Sequence, residues 1–243
     1  KQLREAYQKK ADIGLLATTY LAAEDSTSRA QVLDEYSVET GIPVLPALCQ
    51  RLETMQDVVE KMGSVIAEPK YDGLRLQIHV HASDAEGVQA GDHPRVQGFT
   101  RNLEDVTEMF PELQQIPNVL TTEEAIFDAE VIGFDPETNR LLPFQKTITR
   151  RRKHDVAEKA SETPVRFYLF DLIAYDGTVL LDTPLQERRA ALAAVLPEEA
   201  QPSQQEALDI PAAQEIAIIT PYIVSDDPTE LQRYHNQQLA EDL

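Results

Sequence analysis

The sequence predicts an α+β fold in which antiparallel sheets carry flanking helices. Three observations support this prediction: short runs alternate between apolar and polar residues, few helical segments separate those runs, and the chain opens on a helical stretch. Residues 1–40 place apolar side chains at helical spacing and are expected to form that opening segment. Residues 41–50 contain Pro43 and Pro46 in an apolar setting, which predicts an extended connector and a domain boundary near it.

The later elements follow from local signals. Thr54 with Asp57 predicts the start of a helix that Gly63 ends, and Asn102 predicts the start of the next one. The predicted helices cover residues 55–62, 103–110, 184–196 and 228 to the end. Alternation and bounding turn residues predict strands over residues 65–68, 74–80, 96–101, 125–134, 167–175 and 216–224. Residues 82–94 and 197–209 are predicted loops.

Composition and charge restrict the function classes. The 243 residues include 22 Lys and Arg against 42 Asp and Glu, so the formal net charge is −20. This balance argues against a protein that grips nucleic acid over its whole surface, although the basic run 150–153 would suit a local phosphate track. Cys49 is the one cysteine, which excludes an internal disulfide framework. No apolar run reaches the ~20 residues of a membrane span, and no leader opens the chain, so a cytoplasmic protein without membrane association is expected.

The strongest chemical signal is the run KYDGLR at residues 70–75. Lys70 is expected at the end of a strand, before a tight turn in which Gly73 supplies a positive φ. A lysine becomes a nucleophile only when it is deprotonated, and a neighbouring cation such as Arg75 favours deprotonation. An ordinary surface hairpin is the alternative interpretation. The six-residue pattern between two strands favours a functional lysine.

Strand 125–134 predicts two carboxylates on one face, Asp128 and Glu130, because alternate side chains of a strand point the same way. Such a pair is able to hold Mg²⁺ or a ribose hydroxyl. A solvated strand face is the alternative. Arg101 ends the preceding strand, where its guanidinium is suited to ribose or phosphate, or to a surface ion pair with Glu104 or Asp105.

The KYDGLR run resembles the signature of covalent nucleotidyltransferases, which include DNA ligases, RNA ligases and mRNA capping enzymes. Further segments narrow the resemblance to ATP-dependent DNA ligases of the archaeal and eukaryotic replicative type. These segments are FTRNLED (99–105), FDAEV (127–131), FYLFDL (167–172) and PFQK (143–146) with RRRK (150–153), and more weakly GIPVLPA (41–47) and residues 184–189.

The resemblance covers residues 40–243 and implies an ATP-grasp-like nucleotidyltransferase fold. Residues 41–243 would be the adenylation domain, incomplete at its C-terminus because the family's Glu-Gly segment and later lysine strand do not follow. Residues 1–40 would be the tail of a helical DNA-binding domain.

The resemblance also implies residue roles. Lys70 would attack the α-phosphate of ATP and form a lysyl–AMP intermediate. Phe170 would be the adenine platform, although an aromatic residue in an apolar strand is more often part of the core. Glu68 would lie beside the adenine, and Glu130 would also bind the metal. The implied nucleotide contacts are Glu68, Arg75, Arg101, Glu130 and Phe170.

The implied function is sealing of nicks in double-stranded DNA, with ATP and Mg²⁺ as cofactors and Mn²⁺ as a substitute. A sliding clamp is a candidate partner, a monomer the expected state, and the nucleoid (or a eukaryotic nucleus) the expected place. The alternatives are a capping-type guanylyltransferase, an RNA ligase and a non-catalytic remnant that binds nicked DNA. The PFQK segment with its basic run and the proline-rich connector argue against the first two.

Overall fold

The computed structural model describes residues 1–82, 95–148, 163–197 and 216–240. Three helices open the chain: α1 (Gln2–Lys9), α2 (Ile13–Ala22) and α3 (Ser26–Glu35). The side chains of Asp12 and Asp25 accept backbone hydrogen bonds at the starts of α2 and α3. These helices enclose a small core made of Ala6, Leu16, Leu33 and Tyr36. The helical prediction for residues 1–40 is confirmed as far as Glu35, where α3 ends.

Helix α4 (Met55–Met62) follows the connector and has the predicted ends. Thr54 and Asp57 form a reciprocal capping box, and Gly63 ends the helix with a φ of 72°. Strand β1 (Val65–Ala67) comes directly after it. The strand prediction for residues 65–68 is therefore confirmed for its first three residues, and Glu68 lies just beyond the strand.

The described residues form one sheet of six strands and one of two. The large sheet contains β2 (Leu74–Val80), β3 (Val96–Thr100), β4 (Ala125–Gly133), β5 (Val165–Tyr175), β6 (Thr178–Val179) and β7 (Ala217–Ile219). Its order is β3-β2-β4-β5-β6 with antiparallel neighbours, and β7 lies parallel to β5. The small sheet pairs β1 with β8 (Ile223–Ser225) in antiparallel orientation. This arrangement confirms the α+β class.

Three helices pack around the sheets: α5 (Phe144–Ile148), α6 (Leu185–Ala194) and α7 (Pro228–Ala240). Two 3₁₀ segments, Thr107–Met109 and Pro111–Val119, cover the large sheet on the same side as α6. The main core lies between them and includes Leu76, Ile78, Phe110, Phe127, Phe167 and Leu192. None of the described helices is long and apolar enough to cross a membrane.

The predicted helix over residues 103–110 is wrong. Leu103 has a φ of 65°, and the backbone N–H of Val106 donates to the carbonyl of Gly98 on β3. The side chain of Asp105 accepts from both the N–H and the hydroxyl of Thr107. These contacts hold the backbone against β3, so only the short 3₁₀ turn forms where local propensity favoured a helix.

The predicted strand over residues 216–224 is two strands in two different sheets. Strand β7 ends at Ile219 and β8 begins at Ile223. Pro221 lies between them and has no N–H to continue a ladder. The predicted loops 82–94 and 197–209 and the basic run 150–153 lie almost wholly outside the described residues.

Candidate active site

A cleft of about 950 Å³ opens over β2, β4 and β5 on the face opposite the main core. The structure brings all six residues predicted for the site to its lining. They are Glu68, Lys70, Arg75, Arg101, Glu130 and Phe170. Connector residues 44–49 form one wall, and Phe144 of α5 contributes to another.

Lys70 lies where the two sheets meet. It follows β1 of the small sheet and precedes β2 of the large sheet, so the surface hairpin interpretation is wrong. The next residue, Tyr71, is buried and stacks on Tyr168 with ring centroids 4.5 Å apart. This anchor fixes the backbone beside Lys70. The Lys70 side chain lines the cleft, and its Nζ lies 3.4 Å from the Tyr71 carbonyl oxygen.

Gly73 is needed for close approach and not for the predicted positive φ, since its φ lies outside the left-handed region. A Cβ at this position would lie 2.6 Å from the carbonyl oxygen of Val131 and 2.8 Å from Cγ of Glu130. The Gly73 N–H also donates to Oε1 of Glu130 at 3.0 Å. The turn therefore presses against β4 and orients Glu130 next to Lys70.

Glu130 is held in a partly buried, charged environment. Burial raises the pKa of its carboxyl, and the nearby Lys70 charge, the Gly73 hydrogen bond and Arg75 oppose that rise. As alternation predicts, Glu130 and Asp128 line the cleft while Phe127, Ala129 and Val131 are in the core. The solvated-face alternative is wrong for this pair.

Arg75 pairs with Asp128 through two hydrogen bonds. Its Nε lies 3.2 Å from Oδ1 and its Nη2 lies 2.5 Å from Oδ2. Burial raises the pKa of Asp128, and Arg75 opposes that rise. The Arg75 guanidinium also lies 5.6 Å from the ring centroid of Phe170. Phe170 is half-buried and faces the cleft, so the alternative that it belongs to the main core is wrong.

A second arginine–aspartate pair lies beside the first. Arg188 of α6 donates from Nε to Oδ1 of Asp171 at 2.8 Å and from Nη2 to Oδ2 at 2.9 Å. The hydrogen bond to Asp171 raises the pKa of Arg188. Both residues line the cleft.

Glu68 is held from behind by Arg189 and Thr220. Its Oε2 accepts from Nη1 of Arg189 at 3.3 Å and from the hydroxyl of Thr220 at 2.9 Å. Burial raises the pKa of Glu68, while Arg189 and Thr220 oppose that rise. The carboxylate therefore has a fixed direction at the edge of the cleft.

Arg101 lies just past the end of β3, is exposed and lines the cleft. Asp105, one of the acidic partners considered for it, instead accepts from Thr107 and from the amide of Gln97. The arrangement leaves a guanidinium on the cleft rim, where it is accessible to an anionic ligand.

Two buried polar side chains of β2 hold the connector wall. The Val44 N–H donates to Oε1 of Gln77 at 2.6 Å, and Nε2 of Gln77 donates back to the Val44 carbonyl at 3.2 Å. The Gly41 N–H donates to Nδ1 of His79, which places the ring hydrogen on Nε2, 3.0 Å from Oε1 of Gln77. Burial, with His81 nearby, lowers the pKa of His79 to about 3.

The family model described as "ATP dependent DNA ligase domain" matches residues 46–227, a range that contains every residue of the two ion pairs and the lysine run. The chain belongs to the ATP-dependent DNA ligase family. The match begins inside the proline-rich connector and ends beside α7, so it includes both sheets of the structure.

Two archaeal DNA ligases are among the curated relatives that the chain matches. "DNA ligase 2" of Thermofilum pendens is 38% identical over 197 residues, which are 81% of this chain and 30% of that protein. The DNA ligase of Ignicoccus hospitalis is 34% identical over 241 residues, which are 98% of this chain and 36% of that protein. The chain therefore spans about a third of the length of the relatives it matches. A solved mycobacterial DNA ligase D complexed with ATP and MES aligns with a TM-score of 0.45 at 20% identity, over 72% of this chain and 45% of that one.

Sequence reasoning missed several residues of this ligase-family cleft. Asp171 and Arg188 lie in segments that resemble the family, and this resemblance could have identified them as cleft residues. Thr220 had no local signal, because its contact with Glu68 joins residues 152 positions apart. Arg189 lies behind the cleft and touches it only through Glu68, Thr220 and Phe170.

The residues that line the cleft fit a metal ion that takes most of its ligands from the phosphates of a substrate and from water. Among the described residues no group of three or more His, Cys, Asp or Glu side chains is placed to hold a metal. Asp128 and Asp171 are each paired with an arginine. Glu130 uses Oε1 for Gly73, which leaves its second oxygen as a carboxylate ligand. Mg²⁺ is commonly held by one or two carboxylates together with phosphates and water.

Proposed function

We propose that this chain carries the nucleotide-activating domain of an ATP-dependent DNA ligase, and that the protein seals nicks in duplex DNA. The observation that carries the proposal is the position of Lys70, which lines a cleft of about 950 Å³ together with the Phe170 ring, five carboxylates and three guanidinium groups of the described residues. Small-molecule sites typically enclose roughly 300–1,000 Å³. The cleft is therefore large enough for a nucleotide.

The base and the phosphates have separate sets of partners in this proposal. Phe170 presents its ring to the cleft and Glu68 presents a carboxylate beside it, which suits stacking on adenine and acceptance of its amino hydrogen. Arg101 presents a guanidinium at the rim, which suits the phosphates. Lys70 lines the same cleft as both sets of groups, as a nucleophile for the α-phosphate requires.

In the first step the lone pair of the Lys70 Nζ attacks the α-phosphorus of ATP. A P–N bond forms, the bond from phosphorus to the bridging oxygen breaks so that pyrophosphate leaves with the electron pair, and the nitrogen releases a proton to water. The Tyr71 anchor and the Gly73 contact with β4 restrict where the lysine reaches. Positioning and charge stabilisation account for most of the catalysis in transfers of this kind.

Glu130 is the residue that would hold Mg²⁺, with Mn²⁺ as a substitute. The ion, when bound, would neutralise charge that develops on the phosphates. Glu130 also orients the Gly73 turn, so its carboxylate serves the structure and the ligand at once.

The later steps extend the proposal to the whole protein. The AMP group passes from Lys70 to the 5′-phosphate of a nick, and the 3′-hydroxyl then attacks that phosphate and releases AMP. Residues 1–40 would be the tail of a DNA-binding domain and residues 41–243 the adenylation domain. We also propose a monomer that acts in the cytoplasm on nicks from replication, repair or recombination, with a sliding clamp as a candidate partner.

Transfer of label from ATP tests the proposal. The chain is incubated with α-³²P-ATP and Mg²⁺, denatured, and examined for a covalent, acid-labile adduct. Wild type should carry label, and Lys70→Ala should carry none. Lys61→Ala is the matched control, because Lys61 lies on α4 and contacts Gln50 outside the cleft. Labelling that survives Lys70→Ala would overturn the assignment of the nucleophile, and a wild-type chain that neither binds ATP nor takes up label would overturn the proposed function.

A further inference from the structure

A single buried guanidinium ties together the two residues proposed to contact the base. Arg189 on α6 is 3% exposed and donates to Oε2 of Glu68 at 3.3 Å and to the carbonyl of Phe170 at 3.1 Å. It also donates to the hydroxyl of Thr220 at 2.8 Å and to the Thr220 carbonyl at 2.5 Å. The Tyr222 ring lies 4.6 Å from the guanidinium carbon. Arg189 does not line the cleft, so it acts on a ligand only through these neighbours.

We propose that Arg189, together with Thr220, is a positioning residue that makes the cleft select adenine over guanine. This inference rests on the proposed function, since it concerns the nucleotide that the same cleft receives. It concerns which base is accepted, whereas the proposed function concerns what Lys70 does to the phosphate.

The selection follows from which oxygen of Glu68 is occupied. Arg189 and Thr220 both donate to Oε2. Among the residues that the structure describes, Oε1 has no hydrogen-bond donor, so its lone pairs are available to a ligand. Adenine presents an amino group at C6, which donates to such an acceptor. Guanine presents a carbonyl oxygen at that position, which would place two acceptors against each other. A site with a fixed acceptor therefore rejects guanine.

The same contacts keep Glu68 in the form that makes this distinction. Burial raises the pKa of Glu68, and the charge of Arg189 and the Thr220 hydroxyl oppose it, whereas the nearby Asp171 adds to the rise. Without the guanidinium, Glu68 would take up a proton at a higher pH. A protonated carboxyl is a donor, and it would accept the guanine carbonyl in place of the adenine amino group.

The hydrogen bond from Arg189 to the Phe170 carbonyl adds a geometric role. The Arg189 guanidinium is planar and its donor directions are fixed, and it holds both the Glu68 carboxylate and the backbone of Phe170. Their separation is therefore set before any base enters. A base stacked on Phe170 would reach Glu68 only with the edge that this separation permits.

The test compares three variants by the equilibrium binding of ATP and of GTP, measured by titration calorimetry at pH 7.5 and pH 6.0. Arg189→Gln should reduce the preference for ATP over GTP by about tenfold or more, with a larger loss at pH 6.0. Thr220→Val removes one donor to Glu68 at nearly constant shape and should reduce the preference in the same direction by less. Arg166→Gln is the matched control, because Arg166 is 4% exposed on β5 and binds Asn139 away from the cleft.

Arg166→Gln should keep the wild-type ratio of ATP to GTP affinity, whatever it does to stability. An unchanged ratio in both Arg189→Gln and Thr220→Val would overturn the inference alone. Thr220→Val decides the question if Arg189→Gln does not fold. An equal change in Arg166→Gln would also overturn it, because the effect would then be general loosening. A wild-type chain that binds neither nucleotide would overturn the proposed function and this inference with it.

Discussion

Asp128 and Asp171 lie directly opposite each other across the β4–β5 ladder, and each is paired with a different arginine. Like charges opposed in this way destabilise a sheet unless they are compensated. Arg75 lies on β2 and Arg188 on α6, so two different elements supply the compensating charges. The floor of the cleft therefore carries two adjacent carboxylates with one arginine on each outer side, and the packing of this floor depends on both ion pairs.

Replacement of Arg75 by leucine should lower the free energy of unfolding by roughly 3–5 kcal/mol, because Asp128 is left buried and unpaired. The double variant Arg75→Leu with Asp128→Leu should recover most of that loss, since it removes the unpaired charge. It should not recover ATP binding, because Arg75 belongs to the cleft. Urea denaturation and calorimetry measure the two effects. A double variant no more stable than the single one would contradict the role of Asp128.

Gly73→Ala should impair labelling by ATP more than its effect on stability accounts for. The new Cβ would meet the Val131 carbonyl and Glu130, so the turn must move away from β4 and carry Lys70 with it. An overpacked contact of this kind costs about 1–3 kcal/mol. Gly177→Ala is the control, because Gly177 has a φ of 75° and open space, so its cost is backbone strain of about 1–2 kcal/mol far from the lysine. Equal labelling by the two variants would argue against the close-approach explanation.

His79 should make the protein less stable as the pH falls below 6.5. Its pKa is lowered to about 3 in the fold, so at intermediate pH the unfolded chain binds a proton that the folded chain does not. Between pH 7.5 and pH 5.0 this contribution amounts to a loss of about 2 kcal/mol. His79→Asn keeps an acceptor near the Gly41 N–H and should show a loss smaller by that amount. Denaturation at the two pH values measures the difference, and equal losses in variant and wild type would show that His79 titrates normally.

Gln77→Met should weaken ATP binding several-fold, because Gln77 lines the cleft and also holds its connector wall. The amide of Gln77 makes both hydrogen bonds to Val44, and residues 44–49 form a wall of the cleft. Gln97→Met is the control, because Gln97 lies on the neighbouring strand, binds His81 and does not line the cleft. If the connector's own conformation holds the wall, ATP affinity should be unchanged in both variants, and this result would contradict the role of Gln77.

Local sequence pattern was sufficient for much of the fold. The capping box at Thr54, the end of α4 at Gly63 and the strands that became β2, β4 and β5 depend on residues within a few positions of each other. Alternation along β4 also placed Asp128 and Glu130 on one face. Such features are predictable because dihedral preferences and side-chain direction are set by neighbouring residues.

Local pattern failed where a distant contact outweighed it. The helix expected after Asn102 is replaced by backbone contacts with β3, and Gly73 is required by β4 and not by its own φ. Residues 216–224 divide between two sheets around Pro221.

The site depends on which strands and helices become neighbours in the fold. The pairs Arg75–Asp128 and Arg189–Glu68 join residues 53 and 121 positions apart. Periodicity carries no information about which strands become neighbours, since that outcome depends on the burial of a shared core. The sequence alone therefore identified Lys70 and most of the residues that line its cleft. The packing of the two sheets and α6 determined which arginine pairs with each carboxylate.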